Sequence, residues 1–235
     1  MTQAVALDGA TARRIASAFA PERWYGSHAH YFYARAKLRS DPLYPGIVDA
    51  LRGSDAPLLD LGCGIGLLAH AIRDAGLAIP YRGVDIDARK IARARAAAAN
   101  AGLHDASFDC MDLARGMPAH QGSVAILDVL QFVSPAAQDA ILEAAVAMLT
   151  PGAKLLIRTG LDDGSLRART TRRIDAISRT LRWMNAGPQR YPSADALKAR
   201  FDAAGLASEF TPLYGNTPFN NWRIVAYKAS GNTQR

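Results

Sequence analysis

The stretch Leu58-Leu59-Asp60-Leu61-Gly62-Cys63-Gly64-Ile65-Gly66-Leu67-Leu68-Ala69 decides how this chain folds. An apolar strand runs into three alternating glycines and then into a helix. Glycine takes φ > 0 without strain and lets a ligand approach the main chain. The helix beyond offers free N–H groups and the positive end of its dipole. A dinucleotide site at such a turn has glycines spaced G-x-G-x-x-G and seats a diphosphate there. Here the spacing is G-x-G-x-G, and Asp60 stands two residues before the first glycine. A carboxylate beside a diphosphate is unfavourable; beside a cationic ligand it is favourable.

Outward from this loop the texture is strand then helix. Strands are expected at Pro57 to Leu61, Tyr81 to Val84, Ala106 to Cys110, Val124 to Leu127 and Lys154 to Arg158. A closing pair is expected at Ala207 to Pro212 and Trp222 to Lys228. Helices are expected at Leu67 to Ala75, Ala88 to Ala101 with Asp87 as its cap, Pro135 to Leu149, and Ser193 to Ala204. The βαβα order predicts an α/β, doubly wound, mostly parallel seven-stranded sheet with the last strand antiparallel and helices on both faces. Residues 1–50 do not alternate and are expected to form an N-terminal helical lid over the substrate. They contain a short helix at Thr11 to Phe19 and, after turns at Asp41-Pro42 and Tyr44-Pro45, another at Gly46 to Arg52. The main domain is expected over residues 51–229, with a basic helical insertion after strand 5 (161–192) and a frayed tail at 230–235.

The glycine segment resembles the first motif of the class I S-adenosylmethionine-dependent methyltransferases, small-molecule type, a Rossmann-like family. Three further segments follow in the family's order: Tyr81-Arg82-Gly83-Val84-Asp85-Ile86-Asp87, Phe108-Asp109-Cys110-Met111-Asp112-Leu113, and Ala125-Ile126-Leu127-Asp128-Val129-Leu130-Gln131. Leu149-Thr150-Pro151-Gly152 matches the turn into the fifth strand. The resemblance covers roughly residues 57–160, with strand ends open by ~2–4 residues. It implies S-adenosyl-L-methionine as cofactor, S-adenosyl-L-homocysteine as product, and no metal. The cofactor-binding set it implies is Asp60, Gly62, Cys63, Gly64, Gly66, Asp85, Ile86, Met111, Asp112, Leu113 and Asp128. Asp85 would accept from the ribose hydroxyls and Asp112 from the adenine amine, with Ile86 and Met111 on either side of the ring. Arg35 could fork onto the cofactor carboxylate.

For the chemistry, His28 and His30 are the candidate bases, and Gln131 the polar group facing the substrate. The implied function is methyl transfer to an O or C atom, less readily N, of a small aromatic or apolar metabolite, free or carrier-bound. The alternative is a non-catalytic cofactor-binding regulator on the same fold; an NAD oxidoreductase is disfavoured by Asp60 and the glycine spacing. Trp24, Tyr25, Tyr31, Tyr33, Trp183, Tyr191, Tyr214 and Phe219 supply aromatic lining for such an acceptor.

Composition bounds the rest. In 235 residues, the 49% hydrophobic fraction suffices for a core. No apolar run approaches the roughly 20 residues a bilayer span needs, and the N-terminus lacks a secretory pattern. The only cysteines, Cys63 and Cys110, are read as packing residues in a reducing, cytoplasmic setting. The surplus of Arg and Ala over Lys points to a GC-rich coding genome, and the general look of the N-terminal and C-terminal regions to a bacterial, biosynthetic setting. A basic helix at 165–184, with Arg167, Arg169, Arg172, Arg173, Arg179 and Arg182, is expected to be a solvated face or a dock for an acidic carrier protein or membrane surface. Nucleic acid is not expected as a partner.

Overall fold

The computed structural model describes residues 5–21, 23, 25–161, 191–214 and 220–228. The expected basic helix, Trp24, Trp183, Phe219 and the C-terminal tail lie outside them. The described elements are α1 (Gly9–Ser17), α2 (Ala29–Ser40), α3 (Leu43–Leu51), β1 (Leu58–Leu61), α4 (Leu67–Asp74), β2 (Tyr81–Asp85), α5 (Ala88–Asn100), β3 (Ala106–Cys110), β4 (Ser123–Leu127), α6 (Pro135–Ala147), β5 (Lys154–Gly160), α7 (Ala194–Ala203), β6 (Leu206–Pro212) and β7 (Asn221–Lys228). A 3₁₀ turn at Leu130–Phe132 follows β4.

The strands form one sheet in the order β3-β2-β1-β4-β5-β7-β6. The first five are parallel, and β7 inserts antiparallel between β5 and β6. The strand order reverses between β1 and β4, where open α/β sheets place their ligands outside the carboxyl ends of the strands. The inner parallel strands β1, β2, β4 and β5 are buried on both faces, as helices on either side require, and the edge strand β3 buries only Phe108. β1 shows the division: Leu58 joins the cluster packed under α1, α3, α4 and α5, whereas Leu59 and Leu61 join the one under α6 and α7.

Local chemistry sets the helix starts. Asp8 accepts from the N–H of Ala10 and Thr11 to open α1. Asp87 accepts from Arg89 and Lys90 to open α5. Ser134 and Ser193 cap α6 and α7. α3 starts three residues earlier than the proline pattern predicts. Pro45 falls in its first turn, where its missing N–H has no intrahelical partner to lose.

Residues 5–51 are not a detached layer. Ala12, Ile15, Phe19, Leu38, Ile47 and Leu51 share one cluster with Leu58, Leu68 and Ile72. The division expected at residue 50 therefore does not coincide with a break in the core. The outer side of α2 carries exposed aromatic groups, with Phe32 and Tyr33 more than half exposed, as is Tyr25 just before it.

Candidate functional site

The loop after β1 is built on three left-handed glycines, with φ of 82° at Gly62, 58° at Gly64 and 81° at Gly66. Their surroundings differ. A Cβ at Gly62 would meet Val129 Cγ2 at 2.3 Å, and one at Gly66 would meet Phe108 at 2.7 Å. A Cβ at Gly64 would meet nothing within 4 Å. The loop is thus wedged at both ends and open at its middle, which is the face a ligand could use. Cys63 has its side chain against Gly83 of β2, and burial pushes its thiol well up, so it packs as expected.

Asp85, at the end of β2, ties the loop to the next turn. Its Oδ2 accepts from Gly64 N–H at 2.9 Å and its Oδ1 from Asp87 N–H at 2.9 Å. Each carboxylate oxygen keeps a second lone pair for a further donor. Ile86 follows with its side chain 67% exposed. Half-buried Met111 adjoins it, since Met111 N–H donates to Asp85 carbonyl at 3.0 Å. Half-buried Asp112 accepts from Ala114 N–H and pairs with Arg115, and Leu113 packs partly into the core below.

Asp60 lies beneath this surface, 2% exposed. Its Oδ2 accepts from the Tyr81 hydroxyl at 2.6 Å, and its Oδ1 has no hydrogen-bond partner. Burial lifts its pKa to about 7 against the Tyr81 hydrogen bond, and the nearby Asp85 charge adds to the rise. Sequence reasoning missed Tyr81. The available signal was strand alternation: Gly83 pairs with Asp60 in the register of β1 and β2, and Tyr81, two residues earlier, shares that face.

Asp128 begins the loop after β4 with φ of 59°, uncommon for a residue with a side chain. Its N–H donates to Arg158 carbonyl at 2.8 Å, and its Oδ1 lies 2.9 Å from Arg158 Nε. Gln131 is 7% exposed, and its Oε1 accepts from Thr159 Oγ1 at 3.2 Å, so it points into the interior beside β5.

The N-terminal candidates lie at the start of α2 and along it. His28 is exposed, just before α2, with Nδ1 3.1 Å from Gly26 carbonyl. His30 is half-buried; burial and the Arg93 charge hold its pKa below the ordinary value, so it is neutral near pH 7 and able to take a proton. Arg35 is half-buried on α2 and has no ion pair among the described residues. No group of three or more metal-ligating side chains occurs among the described residues, and none of their helices is long and apolar enough to cross a membrane. A cleft of about 670 Å³ between α1, α4 and α5 is lined by Arg14, His70, Asp74 and Asn100. It lies where these helices end, away from the carboxyl ends of the strands, and contains none of these candidates.

Residues 58–152 match the family model of a methyltransferase domain. No curated protein matches the chain. Among solved structures, the chain is similar to PigF with SAH, at 21% identity over 86% of this chain and 59% of that one, with a TM-score of 0.64. It is also similar to magnesium protoporphyrin IX methyltransferase from Synechocystis PCC 6803 with bound SAH, at 17% identity over 94% of each chain, TM-score 0.63. A third is the DhpI-SAM-HEP complex, at 19% identity over 93% and 94%, TM-score 0.55. At such identities the likeness is one of fold, and the sheet order is the same finding from the inside.

Proposed function

We propose, starting from residues 58–152 as a methyltransferase domain, that the chain transfers a methyl group from S-adenosylmethionine to an oxygen or carbon, less readily a nitrogen, of a small aromatic or apolar acceptor. The observation that carries the reading is the pairing of a glycine loop open only at Gly64 with an unsatisfied carboxylate oxygen on buried Asp60. A cationic donor suits that oxygen, and a diphosphate does not.

When bound, the donor supplies an electrophilic methyl on a sulfonium. The chain's own task is placement and exclusion of water. Gly62, Cys63, Gly64 and Gly66 shape the loop around the amino-acid end, with Asp60 below it and Asp128 on the β4 side. Asp85 holds the ribose hydroxyls with its remaining lone pairs. Ile86 and Met111 flank the base, with Asp112 and Leu113 closing its edge. Arg35 is the cation for the donor carboxylate. For an acceptor that must lose a proton, neutral His30 is the better base of the two histidines, with His28 nearer solvent. Gln131 orients the acceptor if its contact with Thr159 opens. Residues 1–50 contribute the open aromatic side of α2, and the basic segment 165–184 is the dock for an acidic carrier or membrane surface.

Calorimetry with S-adenosylmethionine, S-adenosylhomocysteine and NADH tests the donor. Binding of the first two and not the third is expected; preference for NADH would overturn the reading. Turnover with a panel of phenols and carrier-bound acyl groups then separates an enzyme from a cofactor-binding regulator.

A further inference from the structure

Arg158 is 6% exposed on β5 and is shared between two distant carboxylates. Its Nη1 donates to both oxygens of Asp41, at 2.7 and 2.6 Å. Asp41 closes α2 one residue before the turn into α3 and also pairs with Lys37 at 2.7 Å. The Nε of Arg158 lies 2.9 Å from Asp128 Oδ1, close enough for an ion pair but not aligned as a hydrogen bond. The set balances, with two cations and two anions. Burial would push the Asp41 carboxyl up, but Arg158 and Lys37 together hold it below its ordinary value.

The reach of this cluster is what matters. Asp128 is gripped twice by one residue, through its N–H on Arg158 carbonyl and through its side chain. It is held there in a left-handed conformation that a non-glycine residue rarely adopts. Val129 follows, and its Cγ2 fills the space beside Gly62 so closely that no Cβ could fit there. A continuous line of contacts therefore runs from the α2–α3 turn through Arg158, Asp128 and Val129 to the glycine loop. Apolar packing could hold α2 and α3 on the sheet at lower desolvation cost. A buried ion-pair cluster instead fixes one arrangement of the turn relative to the loop.

We propose that Arg158 is a positioning residue that couples the α2–α3 turn at Asp41 to the donor loop through Asp128, so that Asp41, buried in the cluster and bonded to Arg158 and Lys37, sets donor affinity. The proposal rests on the donor reading above.

The test uses the full chain and S-adenosylhomocysteine as probe. D41N, D41E and R158K are compared with R73K, a control at the C-terminal end of α4, by the amino ends of β2 and β3. Arg73 there bonds the Leu77 and Ile79 carbonyls and pairs with Asp105. Calorimetric affinity, the split between kcat and KM for the donor, and the urea midpoint are read for each. D41N and R158K should weaken binding by about tenfold, within the usual range of coupling between sites, with D41E recovering most of it. R73K should lower the midpoint and leave affinity within about twofold. If D41N does not fold, R158K and D41E carry the comparison. Loss of stability in all variants with affinity unchanged would overturn the proposal. No binding by the wild-type chain would instead overturn the donor reading on which it stands.

Discussion

The three loop glycines share a conformation but not a reason, and substitution should separate them. Gly64→Ala costs only the left-handed backbone, about 1–2 kcal/mol, because its Cβ meets nothing. Its methyl would stand on the open face, so S-adenosylhomocysteine affinity should fall far more than stability does. Gly62→Ala adds a clash with Val129 and should lose both, as urea melts paired with calorimetry would show. Asp60 makes a second prediction. Its pKa rises from 3.8 unfolded to about 7 folded. Between those values the folded state keeps a proton that the unfolded state has released, so stability falls as pH rises. The contribution is complete below about pH 4 and has dropped by as much as roughly 4 kcal/mol above pH 7. Donor-free D60N, whose amide cannot ionise, should lack this part of the slope. Urea unfolding of both proteins at pH 5 and pH 8 measures the difference. The same variant should bind the donor more weakly, because it loses the charge that a cation would hold ionised.

At the level of elements, Asp85 and Asp87 look alike in sequence and act differently in the fold. Asp87 turns its side chain onto the first turn of α5, whereas Asp85 faces the loop. Asp87→Ala should cost about 1 kcal/mol as a lost cap and leave donor affinity near wild type. Asp85→Asn should cost affinity first. This distinction was legible beforehand, because a cap has a fixed offset from the helix it opens. β3 was legible to the residue for a similar reason: its neighbours are turn-formers on both sides. α2 was not delimited, because aromatic and basic groups interleave along it without a clean apolar stripe. α3 was placed late because Pro42 and Pro45 read as punctuation, although the first turn of a helix accepts proline. The Asp41–Arg158 pair had no local signal, since its partners lie 117 residues apart and meet only once the sheet forms. Gln131 was expected to face an acceptor from its strand-end position; it lies in a 3₁₀ turn, a conformation with no local signal, and its Oε1 accepts from Thr159.

For the whole molecule, the question is whether the N-terminal fifty residues are a lid or a layer. Their aromatic and basic composition suggests a lid, and the outer side of α2 with Phe32 and Tyr33 fits that description. Their inner sides do not. Phe19, Leu38, Ile47 and Leu51 are almost fully buried against the face of the sheet that also carries α4 and α5. Removing them would bare a contiguous apolar surface around Leu68 and Ile72 and release Arg158 from Asp41, leaving a buried cation short of its partner. A chain beginning at residue 52 should therefore lose cooperative unfolding and expose surface to a hydrophobic dye, rather than behave as a smaller stable domain. A detachable lid would give the opposite result: a sharp urea transition, little dye binding and retained affinity for S-adenosylhomocysteine. Trimming only the exposed side of α2, with Phe32→Ser and Tyr33→Ser together, should leave the transition within about 0.5 kcal/mol of wild type. It should act on acceptor KM while sparing donor affinity, which is how a layer with one working face differs from a cap.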